Sequence, residues 1–423
     1  MRRYDSYKPS GVSWIPEVPS HWELKQLRAY LKLISYKGHG DKQLLSVTRE
    51  QGVIIRNVDS KVENHNYIPD DLSGYKLIRP GQFAVNKMKS WQGSYGVSKY
   101  EGIVSPAYYV CDLNFPCKEF FSMAIRSKAY IPFFSQMSKG IRVDQWDLST
   151  IALKSIYFAE PPLDEQEAIV SFLYSKTSKI DSYVAERERE LATFEELHQA
   201  EIARVVTHGL NPDVPMRDSG IPWLGKIPAH WKELKLSQVA TEFFKSNKEV
   251  HHQNLLSLSY GRIIRRDINA TEGLLPASFD TYQIVEPGII VLRLTDLQND
   301  QKSLRVGLAK EEGIVTSAYL ALKPREVITP EYLYLFLHTT DIHKYFYSLG
   351  SGIRQNLNFA GLRDIKVSLP PIEEQQTIVD YINSKTAKIN GLITALSAQI
   401  EKLKEYKQRL IADAVTGQID VRK

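Results

Sequence analysis

Two stretches of the chain repeat hydrophobic residues at helical spacing over many more turns than an ordinary globular helix. Ile169, Phe172, Leu173, Ile180, Val184, Leu191, Phe194, Leu197, Ile202 and Val205 lie on one broad stripe. Ile378, Ile382, Ile389, Leu392, Leu396, Ile400, Leu403, Tyr406, Leu410 and Ala414 lie on a second. Pro162 stands just before the first stripe, Asp164 is placed to cap it, and Gly209 and Pro212 end it; the second ends near Gly417. Near-heptad spacing predicts that the two helices pair as a coiled coil. At about 1.5 Å per residue, each helix of about 45 residues is roughly 65–70 Å long. Ahead of each helix the pattern is mixed. Alternating segments predict strands at 43–47, 52–56, 82–86 and 108–112 in the first half, and at 254–258, 288–294 and 318–322 in the second. Short helices are predicted over 118–126 and from Pro330.

This order of elements occurs twice because the sequence does. Trp14-Ile15-Pro16-Glu17-Val18-Pro19-Ser20-His21-Trp22 returns 209 residues later as Trp223-Leu224-Gly225-Lys226-Ile227-Pro228-Ala229-His230-Trp231. Pro161-Pro162-Leu163-Asp164-Glu165-Gln166 returns at the same offset as Pro370-Pro371-Ile372-Glu373-Glu374-Gln375. Between 161–181 and 370–390, 11 of 21 positions are identical, where unrelated segments would share roughly one or two. Weaker matches, such as Gly140-Ile141-Arg142 with Gly352-Ile353-Arg354, have offsets between 207 and 212, so the loops differ in length. A shared frame with divergent loops suits a protein that reads two targets with one scaffold.

Composition narrows the classes. The 423 residues are too many for one core, and the net charge of +5 is compatible with nucleic acid without requiring it. No apolar run is long enough to predict a membrane span, and Met1-Arg2-Arg3-Tyr4-Asp5 is not followed by the apolar stretch expected of a signal peptide. Cys111 and Cys117 are the only cysteines, which fits a reducing cytoplasm and excludes a cysteine zinc site. No glycine-rich phosphate loop is present. The Pro-Pro dipeptides lack the polar and aromatic neighbours that methylation chemistry needs. Asp213 with Glu233-Leu234-Lys235 mimics a Mg²⁺-dependent nuclease pattern, but the first copy has Tyr4 in place of the aspartate.

The duplicated tryptophan motif and the duplicated Pro-Pro-x-x-Glu-Gln helix start resemble the specificity subunit of type I restriction–modification systems, over nearly the whole chain. The resemblance implies an α+β fold. Two repeated mixed α/β target-recognition domains (1–160 and 211–369) would be separated by two long antiparallel, coiled-coil-like helices (161–210 and 370–423) in a pseudo-twofold arrangement. It implies double-stranded DNA as ligand and two methyltransferase subunits as partners, with restriction subunits as optional ones. Each domain would read half of a bipartite site, with the helices as spacer and dock. The chain itself would have no catalytic residue, no metal and no cofactor; S-adenosylmethionine would belong to the methyltransferase. The competing class is a non-catalytic assembly scaffold.

Base reading requires Arg or Lys for guanine and Asn or Gln for adenine, while phosphate contact requires charge alone. In the first copy, Lys87, Lys89, Trp91, Gln92, Ser94, Tyr95 and Lys99 interleave bases, amides and aromatics. The aligned stretch in the second copy offers Arg293, Thr295, Gln298 and Asn299. The recurring glycine–arginine segment adds Lys139 and Arg142, then Arg354 and Gln355; because Gly-Ile-Arg recurs in both copies, its arginine suits a shared task such as phosphate contact. The plain alternatives are solvated hairpins and turns.

Overall fold

The computed structural model describes residues 2–12, 15–58, 68–140, 146–221, 223–249, 252–269, 276, 278–297, 303–349 and 356–422. Trp14, Arg142, Gln298, Asn299, Arg354 and Gln355 lie outside the described residues. The chain forms two compact units, Met1–Glu188 with Ala398–Lys423, and Arg189–Ser397. Each unit joins one globular copy to part of both long helices.

In the first unit, β1 (Glu23–Gln26), β2 (Leu31–Ile34), β3 (Leu45–Thr48), β4 (Gly52–Ile55), β5 (Phe83–Val85), β6 (Tyr95–Val97) and β7 (Tyr109–Leu113) precede α1 (Lys118–Ile125). Then come β8 (Tyr157–Glu160) and the long α2 (Leu163–His208). The second copy runs through β9 (Lys232–Lys235), β10 (Ala240–Phe243), β11 (Leu256–Ser259), β12 (Arg262–Arg265), β13 (Ile290–Leu292), β14 (Val306–Leu308) and β15 (Leu320–Pro324). It closes with α3 (Pro330–Ile342), β16 (Lys366–Leu369) and the long α4 (Ile372–Val415).

The topologies coincide. A four-stranded antiparallel sheet has the order β2-β7-β5-β6 in the first copy and β10-β15-β13-β14 in the second. The opening and closing strands pair as β1–β8 and β9–β16, and β3–β4 and β11–β12 are hairpins. Successive strand residues point to opposite faces, so each sheet is buried twice. Phe83 and Val85 enter the main core with Phe121 and Phe134, while Ala84 joins Leu45, Val47 and Val110 on the other face. Ile290 and Leu292, against Val291, divide the same way.

The helix ends anchor in these cores. Ile169 and Leu173 of α2 enter the first core, where Leu410, Ala414 and Val415 of α4 also pack. Val205 and Val206 of α2 enter the second, beside Ile378 and Ile382 of α4. Within each unit the helices run antiparallel. In the first, Lys407 Nζ meets Asp181 at 2.6 Å and Lys404 meets Glu188 at 3.0 Å; in the second, the Tyr381 hydroxyl donates to Glu201 at 2.8 Å.

Two details differ from the pattern reading. Because α2 begins at Leu163, Asp164 sits inside the first turn, where an acid favours the helix dipole, and is not the cap. Leu197, Leu392 and Tyr406, all on the predicted apolar stripes, are 59%, 50% and 47% exposed. A stripe that wide exceeds what one partner helix covers.

Candidate nucleic-acid interface

The two repeated motifs exist to bind each other. Glu165, only 2% exposed, accepts hydrogen bonds from His21 Nε2 at 2.8 Å, Trp22 Nε1 at 3.2 Å and the Tyr4 hydroxyl. Glu374 accepts from His230 Nε2 at 2.8 Å and Trp231 Nε1 at 3.1 Å. The neighbouring glutamine completes the latch. Gln166 Nε2 donates to the Pro161 carbonyl while its oxygen accepts from the Cys117 amide, the N-cap of α1. Gln375 makes the same pair of bonds with Pro370 and with Thr329, the N-cap of α3. The end of the other long helix closes each latch. Gly417 (φ +73°) packs on Pro19 and Trp22, and Gly209 (φ +75°) packs on Trp231 and Glu374. The Glu-Gln pair therefore joins helix to domain in each copy.

On this frame the candidate loops are brought together in pairs. In the first copy, Lys87 Nζ pairs with Asp147 at 3.0 Å and the Leu148 amide donates to the Lys87 carbonyl at 3.0 Å. Trp91 packs against Trp146 in a tilted arrangement, ring centroids 5.1 Å apart. Lys87 and Trp91 thus adjoin the segment that follows Arg142, Lys89 lies exposed between them, and Lys139 lies exposed on the strand paired with Asp147. The second copy does the same. The Leu357 amide donates to the Leu294 carbonyl at 3.0 Å and Asn356 Oδ1 accepts from the Asp296 amide at 2.8 Å, so the 293–297 loop, with Arg293 and Thr295, adjoins the segment after Gln355.

Gln92 and Lys99 lead elsewhere, into an open groove of about 1070 Å³. Arg49, Lys118, Arg126 and Lys128 also line it, against two acids, Glu50 and Glu119. Arg126 is spent on structure, donating to the carbonyls of Tyr95, Arg49 and Glu50, and burial holds its pKa below the usual value.

Two expected contacts are corrected. Tyr95 is fully buried and stacks on Phe134 at 3.8 Å, and Ser94 is 3% exposed. Tyr95 is the first residue of β6, and the strand's alternation turns it into the core. Neither side chain reaches a base without unfolding the sheet.

The sequence reading also missed residues. Arg305, wholly buried, donates to the carbonyls of Arg293 and Thr295 and to the Tyr347 hydroxyl, fixing the loop from beneath. The nuclease-like residues do not converge on a metal. Glu233 is neutralised by Arg217 and Lys366, Lys235 pairs with Asp364, and no cluster of three metal-ligating side chains occurs among the described residues.

The family described as the Type I restriction modification DNA specificity domain matches residues 286–402, across the second copy and its helix. The internal repeat carries the same frame into the first copy. Residues 286–402 thus carry a type I specificity domain. Two curated relatives from Methanocaldococcus jannaschii extend the likeness to full length. The putative type I restriction enzyme MjaX specificity subunit is 21% identical over 96% of both chains. The type I restriction enzyme MjaVIII specificity subunit is 21% identical over 96% of this chain and 94% of its own. A solved chain from a type I restriction–modification system matches with a TM-score of 0.65 at 16% identity, covering 95% of this chain and 99% of that one, and shows the same fold. Among the described residues, no helix is long and apolar enough to cross a membrane.

Proposed function

We infer that this chain is the sequence-specific DNA-recognition subunit of a type I restriction–modification complex. The carrying observation is that the histidine, tryptophan and glutamine bonds of the latch recur in both copies while the candidate reading surfaces differ. Trp22–Glu165 and Trp231–Glu374 repeat to within 0.1 Å, yet Lys87-Met88-Lys89-Ser90-Trp91 in one copy stands where Leu294-Thr295-Asp296-Leu297 occupies the other. A frame kept constant under changing loops is what two different half-sites require.

In this reading each copy contacts one half of a bipartite duplex site. The long helices set the gap and present exposed apolar positions to two methyltransferase subunits. Tyr183 and Leu392 occupy equivalent positions 209 residues apart, as do Leu197 and Tyr406, and all four are at least 42% exposed. The methyltransferase brings S-adenosylmethionine and performs adenine methylation, restriction subunits join as optional partners, and this chain contributes recognition alone.

The test is a genome-wide map of N6-methyladenine in cells co-expressing the chain with its methyltransferase subunit. A two-part motif with an unspecified gap is expected. A stable complex that leaves DNA unmethylated would sink the reading and favour an assembly scaffold.

A further inference from the structure

The hairpin β11–β12 of the second unit carries a surface the candidate loops do not include. Its register pairs Ser257 with Ile264 and Ser259 with Arg262. Alternation therefore sorts its side chains cleanly. Leu256, Leu258 and Ile263 point inward to the sheet. Ser257, Ser259, Arg262 and Ile264 form the outer face, and Arg266 continues it. At the tip, Tyr260 is 76% exposed and is held at φ +45°, with Gly261 at φ +75° behind it. A non-glycine residue in the left-handed region is strained, and an aromatic one without burial gains nothing from packing there.

The charges on the two faces contrast. Arg265, on the opposite strand face and itself exposed, is paired with Glu311 through both carboxylate oxygens. Arg262 and Arg266 are exposed, and neither guanidinium has a hydrogen bond or ion pair among the described residues. The Arg262 charge acts on His198, whose pKa is lowered first by burial and then by that charge. Two unpaired arginines, two serines and a projecting tyrosine on one side of a two-stranded ribbon complement an anionic groove about as wide as a ribbon. The major groove of duplex DNA has that width and offers the guanine O6 and N7 acceptors that an arginine fork matches.

The first copy shows what is specific to the second. Its hairpin β3–β4 has the same frame: the Arg56 amide donates to Leu44 O as the Arg266 amide donates to Leu255 O. In that register Ser46 matches Ser257, Ile54 matches Ile264, and Gly52 stands in the place of Arg262. A side chain at Gly52 would collide with Arg126, whose donors are already used on backbone carbonyls. The free arginine fork at this position thus exists in one copy only.

We propose that the outer face of β11–β12 enters the major groove of the half-site read by the second unit, with Arg262 contacting a base and Tyr260 and Arg266 seating the ribbon. This rests on the DNA-recognition reading above. The full chain carrying R262A, R262K or Y260A would be co-expressed with the methyltransferase and its motif mapped. Binding of the complex to cognate and to half-site-substituted duplexes would be measured alongside. For R262A, cognate binding is expected to weaken by roughly 5- to 150-fold, with discrimination lost at one position of the second half-site and the first half-site unchanged. R262K, which keeps the charge but not the fork, should also lose that discrimination. An unchanged motif and affinity would overturn the proposal. So would a uniform loss on every sequence, because that would make Arg262 a phosphate contact. A wild-type complex with no motif at all would instead refute the recognition function.

Discussion

The buried carboxylate of Glu165 serves three donors, while Glu374 serves two and is 29% exposed on its side chain. Removing a buried acceptor strands its donors, which costs about 1–3 kcal/mol per group. Glu165→Ala should therefore lower stability by roughly 3 kcal/mol, and Glu374→Ala by clearly less, as read by urea melts of the two variants. A second residue-scale effect concerns pH. His338, buried beneath Gly261, has its pKa pushed down to about 4, chiefly by burial and then by His198. His198 is lowered by burial and by Arg262. The unfolded chain protonates these imidazoles near pH 6.5, so between there and about pH 4 unfolding takes up protons and stability falls as pH falls. The loss from His338 should approach about 3 kcal/mol at the acid end. Glu201, lowered to about 2 mainly by Arg204, weakens the fold only further down, below its usual range. Melting temperatures at pH 7 and pH 5 should diverge in the wild type and converge in His338→Phe; equal divergence in both would refute the assignment.

The long helices were legible because their cause is local. A 3.6-residue stripe, a proline before it and a glycine after it survive any tertiary context, and α2 and α4 begin and end within two residues of those signals. What the pattern could not show was which stripe residues meet a partner, so Leu197 and Tyr406 read as core and are exposed. The short strands fared alike: β5 and β7 lie where alternation placed them, but alternation does not say which face is wet. Hence Tyr95 read as a surface aromatic, and Arg262 with Arg266, two and four positions apart from Ile264 and each other on one strand face, went unread. The helix ends give a prediction at this scale. A Cβ on Gly417 would lie 2.3 Å from Pro19 Cδ, whereas one on Gly209 meets its nearest atom at 3.3 Å. Both glycines have positive φ, which alone costs alanine about 1 kcal/mol. Gly209→Ala should cost about that much and Gly417→Ala distinctly more, because Pro19 and the buried Trp22 cannot retreat. Equal thermal shifts would contradict the packing.

At the scale of the whole chain, duplication mounts two different sets of loops on one repeated frame. The residues that hold helix to domain (His21, Trp22, Glu165 and Gln166; His230, Trp231, Glu374 and Gln375) are shared, so a recognition domain can be exchanged without disturbing how it is mounted. Replacing residues 211–369 by the corresponding segment of a relative, with His230 and Trp231 retained, should leave assembly with the methyltransferase intact. The methylation map should then keep one half of its motif and change the other. The substituted segment includes the 293–297 loop and the β11–β12 ribbon, so every candidate contact of one half-site moves at once, and none of the other. A change in both halves would mean that the copies read DNA jointly; a change in neither would place recognition outside these domains. Salt adds an independent criterion. If Lys139, exposed in the first copy, contacts phosphate, its neutralisation should reduce the slope of log affinity against log salt by about one without altering either half of the motif.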